Sequence, residues 1–323
     1  MRVIGKIPLD ELPVQDMTWE EVGSGKTAER AIGDSEVAYP VVASVFNLLS
    51  KSDLRNEEWL EVSALVNGIR PADDVVLRLT NEVKLTQADM NRLVGPRPIG
   101  HQRDTDLWLN DNVMGGLRHV LREMNAELRS RDETFFADTY FYTFMMEQRN
   151  ACAENRDKFT YKNVERRCKK SPRNNLLLHR ACYFPILLNE NHWINATIIN
   201  GDKKIDVFNP SGKKKENKAV LDNLFKLVQA EYDRLDDKSC IDMDGWSLTD
   251  ISPDEDFQQG NCYDCGVFTI LFMYFHSQDL PISFTQDDVY SCCNGRGVRT
   301  RLAHLLWKMA ANGTVIDLSQ ESR

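Results

Sequence analysis

The stretch Gln258-Gln259-Gly260-Asn261-Cys262-Tyr263-Asp264-Cys265-Gly266 constrains this chain most, because it opens directly into an apolar, helix-like run from Val267 to Phe275. It sets an amide side chain, Gln259, six residues ahead of Cys265. A thiol at a helix start lies among free backbone N–H groups at the positive end of the helix dipole, which favours thiolate over thiol. An amide a few residues upstream can aim its N–H at the oxygen that becomes negative when a thiolate attacks a carbonyl. The stretch reads as a nucleophile with an oxyanion donor. The pair Cys262-x-x-Cys265 also has zinc or redox spacing, but Cys292 and Cys293 are adjacent and make a poor second chelating pair.

A cysteine nucleophile needs a base. Of six histidines, His192 has the best setting: it begins a strand-like segment running on from Trp193 to Ile199. A second strand, Lys204 to Phe208, follows a turn at Gly201-Asp202 and ends at Asn209-Pro210-Ser211-Gly212. In an antiparallel hairpin the start of one strand lies beside the end of its partner, so His192 and Asn209 can meet. Asn209 can accept the imidazole N–H and fix the tautomer. Asp206 is the alternative carboxylate, but strand alternation puts it on the opposite face. His119, His276 and His304 fall in apolar helices, and His101 and His179 in polar stretches without a partner.

The surroundings suit a globular enzyme. A net charge of −9 argues against a nucleic-acid partner and for a protein partner with a basic face. No apolar run reaches the roughly 20 residues that span a bilayer, and the N-terminus lacks an apolar secretory core. Eight cysteines in a chain of this kind predict reduced thiols and an intracellular place, nuclear or cytoplasmic. Gly23-Ser24-Gly25-Lys26-Thr27 lacks the earlier glycine of a phosphate loop and reads as a polar loop. Helix-compatible spacing recurs over Val37–Leu49, Glu57–Val66, Trp108–Met124, Phe135–Met146 and Lys213–Leu235, and Thr86 with Asp89 can cap a short helix. Strands are expected at Cys182–Leu188 and Trp246–Ile251 besides the hairpin. The predicted fold is α+β, a mostly antiparallel central sheet flanked by helices. Residues 1–80 are expected to be a helical or partly ordered extension, 81–315 the catalytic domain and 316–323 a tail.

Four blocks in order resemble those of the ubiquitin-like-protein-specific cysteine proteases, the group that includes SUMO proteases and, distantly, the adenovirus protease. They are Trp108-Leu109-Asn110-Asp111, Asn191-His192-Trp193, Asp206-Val207-Phe208-Asn209-Pro210-Ser211 and Gln259-x-Asn261-x-x-Asp264-Cys265-Gly266. The resemblance runs from Leu85 to Lys308, roughly two thirds of the chain. It implies a papain-like fold and no cofactor. Cys265 becomes the nucleophile, His192 the base and then the acid, Asn209 the third member and Gln259 the oxyanion amide. Trp193 becomes a partly exposed lid and Trp108 the opposite wall of a tunnel for a Gly-Gly tail, since flat indoles clamp a tail without side chains. Asp111 would meet a basic residue of the modifier. The implied partner is a ubiquitin-like modifier, SUMO favoured, and its conjugates, acted on by a monomer in precursor processing or deconjugation.

The chain departs from that pattern twice. Asn209 stands where the family has Asp, and Cys262 where it has Gly. A neutral amide still accepts the imidazole N–H, and on sequence alone Asn209→Asp is expected to keep or raise the rate. Two other readings use the same residues: an effector-type protein acetyltransferase with this Cys-His site, and a non-catalytic modifier-binding relative.

Overall fold

The computed structural model describes residues 48–49, 54–67, 71–80, 83–94, 107–128, 133–146 and 158–313. The expected Gly23–Thr27 loop, most of the expected Val37–Leu49 helix and the expected 316–323 tail lie outside these residues. In chain order the elements are α1 (Asn56–Asn67), β1 (Val75–Arg78), β2 (Lys84–Thr86), α2 (Gln87–Val94), α3 (Asp111–Leu128), β3 (Thr134–Phe136), α4 (Phe141–Met145) and α5 (Lys162–Lys169). There follow β4 (Ala181–Leu188), β5 (His192–Ile199), β6 (Lys204–Phe208), α6 (Lys215–Asp233), β7 (Ser247–Asp250), α7 (Cys265–Ser277), α8 (Gln286–Gly295) and α9 (Val298–Gly313).

The main sheet has the order β3-β4-β5-β6-β7. Its long central pairings, β4 with β5 and β5 with β6, are antiparallel, as expected; the short edge pairings, β3 with β4 and β6 with β7, are parallel. Both faces are covered, so the central strands are buried nearly throughout. Alternation then sorts their side chains. Cys182, Phe184, Ile186, Ile194, Ala196 and Ile198 pack with Val220, Leu224 and Val228 of α6. Ala181, Tyr183, Trp193 and Phe208 face the other way and join Phe268, Leu271 and Phe272 of α7. A helix that is apolar all round has to be enclosed. The sheet encloses α7 on one side, where Phe208 stacks on Phe272 with ring centroids 4.4 Å apart. Val113 and Leu117 of α3 and Leu302 and Leu306 of α9 belong to the same core.

Two expectations change. Phe135 and Phe136 belong to a strand, not a helix; only Phe141–Met145 of that aromatic run is helical. A three-residue parallel strand is defined by its distant partner β4, which local spacing does not reveal. The boundary after residue 80 falls within the β1–β2 hairpin, and Val62, Leu65, Val76 and Leu77 are buried in the core that holds α7.

Candidate active site

The β5–β6 hairpin brings His192 and Asn209 together. His192 Nε2 lies 2.8 Å from Asn209 Oδ1 and 3.4 Å from Ser211 Oγ. Because Asn209 Oδ1 also accepts the Ser211 backbone N–H at 3.0 Å, it is an acceptor, and Nε2 must carry the proton. Nδ1 is then the basic nitrogen. Asp206, by contrast, is buried and paired with Lys204 at 2.7 Å.

Cys265 is the first residue of α7 and is 2% exposed. The backbone N–H groups of Trp193 and Gly266 lie close enough to its sulfur to favour the thiolate. The residue after His192 thus touches the thiol, which places the strand start beside the helix start. Burial opposes the thiolate that the helix start favours. Burial raises the thiol above its ordinary value and outweighs the N–H groups and the nearby Arg299. Burial also lowers His192, against the hydrogen bond to Asn209. Burial therefore works against the charged form of both groups.

The loop ahead of Cys265 is held by its own polar side chains. Asn261 Oδ1 accepts the backbone N–H groups of Tyr263 and Asp264, at 3.0 and 2.8 Å. The buried Asp264 carboxylate receives Arg299 at 2.7 Å, Asn261 Nδ2 at 2.6 Å and Gln286 Nε2 at 2.9 Å. Arg299 also donates to the carbonyls of Tyr263 and Arg92, tying α9 and α2 to the loop. The Gln259 backbone N–H donates to Pro210 O at 3.0 Å, joining this loop to the Asn209 turn. One N–H of its side chain goes to Asn261 O at 2.8 Å, which orients the amide and leaves its second N–H to act as a donor.

The first block closes the arrangement. Asn110 Oδ1 accepts the Val113 N–H and caps α3, whose first residue is the half-buried Asp111. Trp108 Nε1 donates to Cys262 O at 3.0 Å. Trp193 Nε1 donates to Leu109 O at 2.6 Å. A Cβ on Gly266 would meet the Leu109 side chain at 3.0 Å, so glycine after the cysteine lets this strap lie against α7. Trp193 is 2% exposed, whereas a partly exposed lid was expected; its ring lies in the core with Phe208 and α7. Cys262 is exposed. The sequence reading did not single out Arg299, which lies in no block and reaches the loop through an ion pair that only the fold creates.

Residues 107–298 match the profile described as the Ulp1 protease family, C-terminal catalytic domain. The chain belongs to the Ulp1 protease family. Two similar Arabidopsis thaliana proteins are "Putative ubiquitin-like-specific protease 1B", 26% identical over 185 residues, and "Ubiquitin-like-specific protease 1A", 28% identical over 184. Each match covers 56% of this chain, but only 50% and 34% of the relatives, so the chain spans half or less of their length. The Ulp1 fold is seen in the structure of SUMO protease Ulp1 with its catalytic cysteine oxidised to a sulfonic acid (TM-score 0.59, 22% identity, 81% of this chain and 98% of that chain). The C-terminal Ulp1 protease domain in complex with Smt3, the yeast ortholog of SUMO, is similar as well (TM-score 0.58, 23% identity, 80% of this chain and 97% of that chain).

Proposed function

We propose that the protein is a cysteine peptidase that cleaves after the C-terminal Gly-Gly of a ubiquitin-like modifier, SUMO favoured, in precursor processing or deconjugation. The observation that carries this reading is the His192–Asn209 hydrogen bond at 2.8 Å, with the Trp193 N–H on a cysteine that begins a buried helix. Family membership supports the substrate class.

In this mechanism His192 Nδ1 takes the thiol proton as Cys265 sulfur attacks the glycyl carbonyl. Asn209 holds Nε2–H throughout and keeps the ring oriented. The oxyanion is met by the free N–H of Gln259 and a backbone N–H near Cys265. His192 returns its proton to the departing amine, and water then releases the modifier from the thioester. Trp108, half-buried, is the open wall of the tail channel; Trp193 is its buried support. Asp111 lies at the mouth, for a basic residue of the modifier.

The test is cleavage of Gly-Gly-extended precursors and isopeptide conjugates of SUMO, ubiquitin and other modifiers. Cleavage of at least one, SUMO foremost, is expected, with Cys265→Ala inactive yet still binding. Cleavage of none by the folded chain would overturn the reading.

A further inference from the structure

The turn that carries Asn209 begins a chain of side-chain amides whose polarity is set at both ends. At one end the Ser211 backbone N–H donates to Asn209 Oδ1 at 3.0 Å. A backbone N–H can only donate, so the amide oxygen must lie on that side, which is also the His192 side. Asn209 Nδ2 then donates to Asn217 Oδ1 at 2.9 Å, and Asn217 Nδ2 donates to Asp250 Oδ2 at 2.9 Å. At the far end Asp250 Oδ1 accepts the Ser252 backbone N–H at 3.0 Å. Asn209 and Asn217 are 2% and 0% exposed, so a mismatched pair carries its full desolvation cost.

We propose that Asp250, acting through Asn217, is the positioning residue that holds the amide at position 209 with its oxygen toward His192, so that this site is built for asparagine and not for a carboxylate. The proposal rests on reading His192 as the base for Cys265. It reverses the expectation that Asn209→Asp keeps or raises the rate. An aspartate at position 209 sets a carboxylate oxygen against Asn217 Oδ1. Turning Asn217 over relieves that clash but points Oδ1 at Asp250. Asp250→Asn supplies the missing donor: the amide at position 250 keeps its oxygen on the Ser252 N–H and offers its NH2 to Asn217, which offers its own to the carboxylate at 209. In the unaltered background Asp250→Asn does the opposite. Two NH2 groups face each other, and correcting them turns Asn209 until its NH2 meets the Nε2–H of His192.

The experiment is a four-protein cycle on the full chain: parent, Asn209→Asp, Asp250→Asn and the double variant. The readouts are the rate at which iodoacetamide alkylates Cys265, followed by peptide mass spectrometry, and the melting temperature. Each single variant should react about tenfold more slowly than the parent. The double variant should react faster than either single one, and its acid limb should move to higher pH because a carboxylate now steadies the imidazolium. An effect on packing alone would not move that limb. If a single variant fails to fold, recovery of the parent's melting temperature in the double variant supports the proposal. An Asn209→Asp protein as fast as the parent, or a double variant no faster than the slower single one, overturns it. Alkylation needs no modifier. Coupling without cleavage of any modifier would sink the proposed function alone, and cleavage without coupling would sink the positioning role alone.

Discussion

Arg299→Met removes the cation from a buried carboxylate that adjoins Cys265. The Asp264 side chain is fully buried and that of Arg299 is 11% exposed; their closest contact is 2.7 Å. Asn261 and Gln286 would still donate to the carboxylate, but its charge would be uncompensated. Breaking a buried pair from one side costs about 3–5 kcal/mol. For a domain of this size each kcal/mol lowers the melting temperature by about 2–4 °C, so a fall on the order of 10 °C is expected. Arg299 also holds Tyr263 O, so the loop that presents Cys265 should shift. A displacement of about 1 Å costs on the order of a hundredfold in rate. The assay is urea unfolding of the parent, Arg299→Met, Asp264→Asn and the double variant, with Cys265 alkylation rates alongside. Once both charges are gone, the double variant should recover much of the loss, with a coupling energy of about 1–3 kcal/mol. A loss below about 1 kcal/mol for Arg299→Met, or losses that simply add in the double variant, would refute the reasoning.

Three further outcomes are expected. Trp193→Ala should lower stability by about 3–5 kcal/mol in urea unfolding, because it empties a core site and orphans Leu109 O; a change under about 1 kcal/mol would mean that the ring is not a core residue. The activity profile against pH should be broad. The reactive species carries one proton shared by thiol and imidazole. The acid limb therefore follows His192, below the usual 6.5, and the alkaline limb follows the Cys265 thiol, above the usual 9.0. A strong thiolate absorbance at neutral pH, lost in Cys265→Ala, would contradict this assignment. Gly212→Ala should slow Cys265 chemistry, since Gly212 has φ +84°, where any side chain strains the backbone, in the turn whose Pro210 O holds the Gln259 N–H; an unchanged rate would count against the proposed role of Gln259.

The residues proposed to react were legible because their chemistry is local. A cysteine at the head of an apolar run, an amide upstream and a hairpin with His192 and Asn209 at its open end all follow from spacing. The β5–β6 pairing and the Thr86–Asp89 cap follow from the same local rules. What stayed hidden is long-range. The burial of Trp193 depends on α7 crossing the sheet, and so does the rise in the Cys265 pKa, which a helix-start argument alone predicts with the wrong sign. Arg299 reaches Asp264 from another helix. Asn217 and Asp250 look like surface residues of an amphipathic helix and a strand end until the Asn209 turn closes on them.

The central claim is that Cys265, served by His192 and Asn209, attacks the carbonyl at the end of a modifier's Gly-Gly tail. The most direct measurement offers the full chain SUMO whose C-terminus carries a vinyl sulfone, beside ubiquitin and other modifiers bearing the same group, and maps any adduct by mass spectrometry. One covalent modifier on Cys265, absent in Cys265→Ala and formed fastest with SUMO, is the predicted result. A folded protein that forms no adduct with any of the modifiers, or forms one on Cys262 instead, would contradict it.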